Sequence, residues 1–401
     1  MDHTRRYEKS LVIILFFSWG AVFLDRMSQL YLAPYFAPEF QLTNEQVGLL
    51  ASVLAICWAG STFFFGALSD RVGRRKILIP AMFIFSGLSW LTGMARSFDQ
   101  LLLIRALMGI AEGPCWSVIT ALIEESSPPN RRGRDVGIVV SAAALVGLAL
   151  APVLTTQVAS RVGWRWAFFV AGIPGVLLGL LIWKYVREPE RGEAAGHGGV
   201  TLRDYLAVLR YGNVLLACLG AAGFMTWLFL LNVFAPLYIT EVAHQPGTTA
   251  GFLLGASGLG SFFLGFLLPS LSDRVGRKNM LFLLAVLTSI VPLALLVPSL
   301  YDHLWMLAAI LFATNGGQAI ASLIIVLVPA ESAPAGFAGT AIGLATLVGE
   351  VIGATAAPAL GGALAQRFGL GTTLWLSAGG MGFLFLVTVF LVETRQINRT
   401  R

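Results

Sequence analysis

Long apolar runs separated by short polar intervals are the dominant pattern of this 401-residue chain. A helix that crosses the hydrocarbon core of a bilayer, about 30 Å thick, needs about 20 mostly apolar residues. Twelve runs reach that length, at 10–33, 46–69, 76–95, 98–121, 134–158, 166–187, 212–240, 249–271, 278–297, 303–328, 338–364 and 371–393. The pattern therefore predicts an all-α membrane protein with twelve transmembrane helices.

Composition excludes the other broad classes. Hydrophobic residues make up 57% of the chain and charged residues 12%, and the mean hydropathy is +0.79. Soluble domains contain about 25% charged residues. The net charge of +6 does not indicate nucleic-acid binding, because the basic residues lie in short loops between apolar runs. Cys57, Cys115 and Cys218 lie inside apolar runs without metal-ligand spacing, so we expect neither disulfides nor a metal site.

The distribution of lysine and arginine predicts the orientation. If both termini lie on one side of the membrane, that side holds 21 of the 27 basic residues and the other side holds four. Loops rich in lysine and arginine stay on the cytoplasmic side. We therefore expect a multi-pass protein of the cell (inner, plasma) membrane with both termini in the cytoplasm.

A repeat divides the chain in two. The segment Ser-Asp-Arg-Val-Gly-Arg-Arg at 69–75 returns as Ser-Asp-Arg-Val-Gly-Arg-Lys at 272–278, each after the second run of a six-run half. A glycine-rich polar interval separates the halves. This predicts two pseudo-symmetric six-helix bundles, 1–190 and 206–401, joined by a flexible cytoplasmic linker, 191–205.

The first copy of the repeat, Gly66-x-Leu68-x-Asp70-Arg71-x-Gly73-Arg74-Arg75, resembles the signature loop of the major facilitator superfamily (MFS). The resemblance implies the MFS fold, secondary transport by alternating access and a monomer. It also implies a cytoplasmic gate, to which we assign Asp70, Arg71, Gly73, Arg74, Glu124, Arg134, Asp273 and Arg274. We expect the gate to be asymmetric, because basic residues at 131–134 have no counterpart at 337–340.

Five ionisable residues lie inside apolar runs: Asp25 and Arg26 in the first, Arg105 and Glu112 in the fourth, and Glu350 in the eleventh. Each costs at least about 2.5 kcal/mol if it faces lipid at mid-depth. They are therefore expected to face a cavity or one another. Arg105 and Glu112 share a helix face about 10.5 Å apart, too far for a direct ion pair without a mediator.

The Asp-Arg pair, together with Arg-x-x-x-Gly-x-x-Glu-Gly at 105–113, resembles the anion:cation symporters, which carry sugar acids, sialic acid and other organic anions. Gly163-Trp164-Arg165-x-Ala167-Phe168-Phe169 and Gly172-x-Pro174-Gly175 fit the same branch. The resemblance implies that Asp25 and Glu112 are protonation sites and that Arg26 and Arg105 handle the anion. Spinster-type lipid carriers share the Asp-Arg and Glu features, and a permanent structural network is a further alternative.

The remaining candidates are weaker. Glu350 lies among glycines and is either a third proton-coupling group or a structural one. Asn232, Asn315 and Gln318 are polar residues in apolar runs, and Tyr31 is an aromatic residue of the first run. We assign these four to substrate binding.

Together these features predict a proton-coupled symporter of a small organic anion, such as a sugar acid, aromatic acid or monocarboxylate. The alternatives are a Spinster-like exporter of lysolipid or sphingoid substrates, sodium instead of proton coupling, and a non-transporting membrane receptor. No nucleotide loop or nucleophile–base motif occurs in the sequence, so we expect no enzyme activity and no cofactor. The expected partners are the anion, protons and the bilayer.

Overall fold

The computed structural model describes residues 2–128, 131–188, 207–334 and 336–394. In these ranges, which contain no strand, twelve helices are long and apolar enough to cross a membrane. They are α1 (Asp2–Phe36), α2 (Asn44–Val72), α3 (Arg74–Gly93), α4 (Phe98–Ser126), α5 (Arg132–Val162), α6 (Trp164–Tyr185), α7 (Gly212–Val242), α8 (Gly247–Val275), α9 (Arg277–Leu295), α10 (Pro298–Ser332), α11 (Ala338–Phe368) and α12 (Gly371–Phe390). The predicted fold class is confirmed. The predicted linker, 191–205, lies outside the described residues.

The chain divides into two compact units. The first comprises residues 1–42 and 53–199, and the second comprises residues 43–52 and 200–401. The boundary falls within α2, whose first turns belong to the second unit.

Glycines set the helix packing in the first unit. A Cβ atom at Gly109 of α4 would lie 2.3 Å from the Leu54 carbonyl oxygen of α2, and one at Gly113 would lie 2.8 Å from the Trp58 carbonyl oxygen. The space beside Arg105 and Glu112 that these glycines leave open is therefore filled by α2. Gly175 of α6 lies equally close to α3.

In the second unit α12 packs against α7 and α9, and α10 against α8. The sequence predicted a membrane-spanning run at 303–328, and the corresponding helix α10 covers Pro298–Ser332. The helix α10 begins with a 3-10 segment, Pro298–His303, and is interrupted between Thr314 and Gly317. Consecutive glycines at 316 and 317 have a low helix propensity, which favours a break at this point.

Candidate functional site

The four ionisable side chains of α1 and α4 lie together in the interior of the first unit. Asp25, Arg105 and Glu112 are fully buried, and Arg26 is 3% exposed. Arg105 Nη1 lies 4.0 Å from Asp25 Oδ2. The fully buried Glu112 belongs to the same group of charges, with Asp25, Arg26 and Arg105 as its charged neighbours. We call these four residues the charge cluster.

Aromatic rings and a hydroxyl group hold the two guanidinium groups. The Arg105 guanidinium lies 5.4 Å from the centre of the Phe168 ring on α6, and its Nη2 donates to Thr92 Oγ1 at 3.4 Å. Arg26 lies 4.9 Å from the Trp58 ring on α2. Desolvated cation–π contacts of this kind stabilise a buried guanidinium without neutralising it.

The carboxyl groups of the charge cluster are incompletely satisfied. Within the described ranges, neither oxygen of Asp25 and neither oxygen of Glu112 accepts a hydrogen bond, and Nε and Nη1 of Arg105 donate none. Buried polar atoms are nearly always hydrogen-bonded, and exceptions usually have a functional reason. The cluster therefore has the capacity to take up a proton, water or an anionic ligand.

Sequence reasoning missed the residues of α3 that surround this cluster. Thr92 accepts from Arg105, and Ser89, one turn earlier in α3, donates to the Phe168 carbonyl oxygen. The available signal was a row of buried hydroxyl residues, Ser86, Ser89 and Thr92, which recur every three residues and so face one side of α3.

Of the other residues assigned to proton coupling or substrate binding, only Tyr31 lies in the first unit. It is buried in α1, about 9 Å along the helix from Asp25. Asn232 of α7 is buried in the second unit, and its Nδ2 donates to the Leu228 carbonyl at 2.7 Å. Glu350 is 4% exposed and lies in a π-helical turn of α11, Gly349–Ala356. Such turns inside α-helices often occur at functional sites.

The side chain of Asn315 forms hydrogen bonds that stabilise the interruption of α10. Its Nδ2 donates to Ser257 Oγ at 2.8 Å, and its Oδ1 accepts from the Gly317 backbone at 2.9 Å. The backbone N–H of Gln318 donates to Ser261 Oγ at 2.9 Å. Side chains of α8 thus replace backbone hydrogen bonds that the interruption removes.

The two copies of the repeat form matching ion-pair groups. In the first unit Arg74 lies 2.5 Å from Asp70 and 2.8 Å from Glu125. In the second unit Arg277 lies 2.9 Å from both Asp273 and Glu331. The sequence analysis assigned Glu124 to the gate. The carboxylate that contacts Arg74 belongs instead to the next residue, Glu125.

A second carboxylate caps the helix that follows each repeat. Glu188 accepts from the backbone N–H groups of Arg74 at 2.5 Å and Arg75 at 3.0 Å. Glu393 likewise accepts from Arg277 at 2.9 Å and Lys278 at 3.1 Å.

Gly73 and Gly276 permit this arrangement. Their φ angles are +120° and +99°, a region that side chains rarely adopt. A Cβ atom there would also lie 2.9 Å from Glu188 and 2.5 Å from Glu393. Glycine is therefore required both for the turn and for the approach of the capping carboxylate.

The remaining residues assigned to the gate lie near these groups. Arg134 pairs with Asp135 at 2.9 Å, whereas Arg71, Glu124 and Arg274 are exposed at the ends of α2, α4 and α8. Arg131 adds a contact with Glu8 at 2.9 Å. Arg131 and Arg134, near the start of α5, thus form ion pairs. The corresponding residues of the second half, Phe-Ala-Gly-Thr at 337–340, carry no charge and cannot form such pairs.

The Gly-Trp-Arg segment at 163–165 donates hydrogen bonds to Glu39 in the loop between α1 and α2. Glu39 accepts from Trp164 Nε1 at 2.8 Å and from both terminal nitrogens of Arg165 at 2.8 Å. The hydrogen bonds from Arg165 and Trp164 lower the pKa of Glu39 below its usual value. This cluster ties α6 to the end of α1.

Twelve membrane-length helices and a buried carboxyl–guanidinium cluster are typical of a multi-pass membrane transporter. The chain belongs to the Major Facilitator Superfamily, whose family model matches residues 15–356.

Relatives and solved structures agree with this assignment. A probable 4-methylmuconolactone transporter of Cupriavidus pinatubonensis is 31% identical over 94% of this chain and 89% of its own length. The hexuronate transporter of Bacillus subtilis is 27% identical over 69% of this chain and 68% of its own length. A bacterial homologue of human Spinster, inward-facing and occupied, has a TM-score of 0.72 and 22% identity over 96% of this chain and 94% of that one. At that identity the likeness concerns the fold alone.

Proposed function

We propose that this chain is a proton-coupled symporter that imports a small organic anion by alternating access. The observation that supports the proposal most directly is the buried charge cluster, whose carboxyl oxygens accept no hydrogen bond within the described ranges. In this proposal Asp25 and Glu112 carry protons, and Arg26 and Arg105 hold the carboxylate of the substrate. The protein acts as a monomer in the inner membrane with both termini in the cytoplasm.

In this proposal, the coupling between the anion and the proton follows from the charge balance of the cluster. The two guanidinium groups stay positive under all physiological conditions, whereas a carboxyl group becomes neutral when it binds a proton. With both carboxyl groups ionised, the cluster of Asp25, Arg26, Arg105 and Glu112 is neutral. A bound monoanion adds one negative charge, and one proton restores neutrality. Because an unbalanced charge in a low-dielectric interior is costly, anion and proton bind together.

The relatives support the substrate class. Muconolactones and hexuronates are both small organic acids that carry one carboxylate, and these are the compounds named for the two relatives. A guanidinium group binds such a carboxylate through two parallel hydrogen bonds. Within the described residues, Nε and Nη1 of Arg105 donate no hydrogen bond, so these N–H groups are available to an anion.

The test uses purified protein in liposomes that contain a pH-sensitive dye. 4-Methylmuconolactone, glucuronate and a lysolipid are added outside in turn, and the acidification of the lumen and the uptake of radiolabel are both recorded. We expect saturable uptake of at least one of the two acids, accompanied by acidification. Empty liposomes correct for passive entry of the undissociated acid.

Variants separate coupling from binding. The double variant Asp25→Asn, Glu112→Gln is expected to exchange labelled for unlabelled acid across the membrane but not to accumulate it. The variant Asp99→Asn, which changes an exposed carboxylate at the start of α4 outside the charge cluster and the gate, serves as the matched control and accumulates normally. Proton-driven accumulation by the double variant contradicts the coupling role. Transport of lysolipid without either acid contradicts the substrate class.

A further inference from the structure

Two buried tryptophan side chains near the charge cluster have N–H groups without an acceptor. Trp19 of α1 is 3% exposed, and Trp58 of α2 is 4% exposed. Within the described residues, neither indole N–H donates a hydrogen bond. An indole ring has this one donor and no acceptor, and a buried tryptophan usually pairs it. Each ring can therefore donate one hydrogen bond to an oxygen atom that the described residues do not supply.

Trp58 contacts both helices that carry the charge cluster. Its ring lies 4.9 Å from the Arg26 guanidinium of α1. Its backbone lies against α4, because a Cβ atom at Gly109 would be 2.9 Å from the Trp58 nitrogen. Gly109 comes four residues after Arg105 and three before Glu112, so these three residues share one face of α4. An anion bound by the guanidinium groups of the cluster is therefore next to Trp58.

Further aromatic rings continue from Arg26 along α1. The Arg26 guanidinium lies 5.9 Å from the Phe23 ring, and the Phe23 ring lies 4.9 Å from that of Trp19. The ring of Trp19 lies 5.0 Å from that of Trp116 on α4. Aromatic rings with centroids this close are in direct contact. The surroundings of the Arg26 guanidinium, including Trp58, are thus rich in aromatic rings.

The serine and threonine hydroxyl groups of the same stretches of α1 and α2 are already used as donors. Those of Ser18 and Ser28 donate to backbone carbonyl oxygens of α1 itself. Those of Ser61 and Thr62 donate to backbone carbonyl oxygens of α4. A polyhydroxy acid needs a partner for each of its hydroxyl groups, and each one buried without a partner lowers the affinity about fivefold or more. A planar ring acid needs apolar contact and few hydrogen bonds, which aromatic rings and an indole N–H supply.

From these contacts we propose that Trp58 determines the substrate specificity of the charge cluster. Its ring packs against the planar body of an unsaturated or aromatic ring acid, and its Nε1 donates to a second oxygen of that acid, such as a lactone carbonyl. The preferred substrate is a ring acid of this kind and not a polyhydroxy sugar acid. The inference rests on the proposed function, in which Arg26 and Arg105 hold the carboxylate.

Calorimetric titration of the purified protein tests the inference by measuring binding without transport. The three probes are 4-methylmuconolactone, which is an unsaturated lactone acid, benzoate, which is a planar acid without a second oxygen function, and glucuronate, which is a polyhydroxy acid. We expect 4-methylmuconolactone to bind at least about tenfold more tightly than glucuronate, because several sugar hydroxyl groups are left without partners.

The variant Trp58→Phe keeps an aromatic ring and removes the N–H group. It is expected to weaken the binding of 4-methylmuconolactone about two- to tenfold, which corresponds to one hydrogen bond, and to leave the binding of benzoate unchanged. Unchanged binding of benzoate also shows that the variant is folded. The matched control is Trp166→Phe, because Trp166 of α6 is 57% exposed, and it is expected to bind all three probes as the wild type does.

Three results overturn the inference. The first is wild-type protein that binds glucuronate as tightly as 4-methylmuconolactone. The second is wild-type affinity for 4-methylmuconolactone in Trp58→Phe. The third is an equal loss of benzoate and 4-methylmuconolactone binding in that variant, since this would show a structural role only. If binding follows the expected order but no acidification accompanies uptake into liposomes, the proposed coupling fails and the specificity role stands.

Discussion

Replacement of Gly109 by alanine tests the packing that positions the charge cluster. The new Cβ atom would lie 2.3 Å from the Leu54 carbonyl oxygen and 2.9 Å from the Trp58 backbone nitrogen. Real Cβ atoms do not approach backbone atoms below about 3.0 Å, so α2 and α4 must separate. Overpacking of this kind costs about 1–3 kcal/mol. The helix propensity of alanine recovers at most about 1 kcal/mol of that cost.

The measurement is the midpoint of thermal unfolding, Tm, of the purified protein. A destabilisation of 1 kcal/mol lowers Tm by about 2–4 °C in a unit of this size. With about 2 kcal/mol of overpacking, the middle of that range, and about 1 kcal/mol recovered, we expect Gly109→Ala to lower Tm by about 2–4 °C. Transport is also expected to weaken, because α4 carries Arg105 and Glu112. Gly60→Ala is the matched control: Gly60 lies in α2, and its new Cβ atom meets nothing within 4 Å.

The two substitutions are expected to have opposite signs. Gly60→Ala raises the free energy of unfolding by about 0.5–1 kcal/mol, because it removes backbone freedom from the unfolded chain without a clash. An equal or higher Tm for Gly109→Ala would refute the packing argument. It would mean that the backbone of α2 yields at no cost.

Three further predictions concern other parts of the first unit. Glu188→Gln replaces one of the two carboxylate oxygens that accept at the start of α3, and faster amide exchange at Arg74 and Arg75 is expected, with Asp99→Asn unchanged. Glu39→Gln removes the charged hydrogen bonds of Glu39 to Arg165 and Trp164, which lower the pKa of Glu39. The stabilisation from these bonds is present above the usual carboxyl pKa and is lost as the pH falls through the lowered pKa of Glu39. The Tm difference between Glu39→Gln and wild type is therefore expected to disappear in acid. Arg105→Lys is expected to lower uptake at least about tenfold, because one ammonium group cannot reach both Thr92 and a substrate carboxylate in the geometry of a guanidinium fork.

Each of these predictions has a contrary outcome. Unchanged exchange at α3 in Glu188→Gln would show that solvent replaces the cap without loss. A Tm difference for Glu39→Gln that persists at low pH would show that the effect is packing and not charge. Wild-type uptake by Arg105→Lys would show that only the positive charge matters.

The sequence predicted the helices because membrane-spanning segments have a length and polarity fixed by the bilayer. It also predicted the charge cluster, since ionisable residues such as Asp25 and Arg105 cannot face lipid and must find one another. The seven-residue spacing of Arg105 and Glu112 argued against a direct ion pair between them, and in the structure Arg105 pairs with Asp25 of α1.

Other features depend on contacts between distant segments. The cap of α3 comes from Glu188, more than a hundred residues after Arg74, and no local pattern connects them. The interruption of α10 has a local cause in its glycines, but it is stabilised by Ser257 of α8. The hydroxyl groups of α3 were overlooked because serine and threonine in membrane helices commonly bond to their own backbone.

The amino-acid sequence by itself determined the number of helices, their division into two repeats and which polar residues had to be buried. These properties follow from the transfer of side chains between water and lipid, which acts on each segment separately. Only the tertiary structure decided which groups meet in the interior, namely that Arg105 pairs with Asp25 and donates to Thr92 while Gly109 receives α2. These contacts between helices depend on how each helix is rotated about its axis and on distances of a few ångströms. Side-chain shape determines both, whereas hydropathy does not.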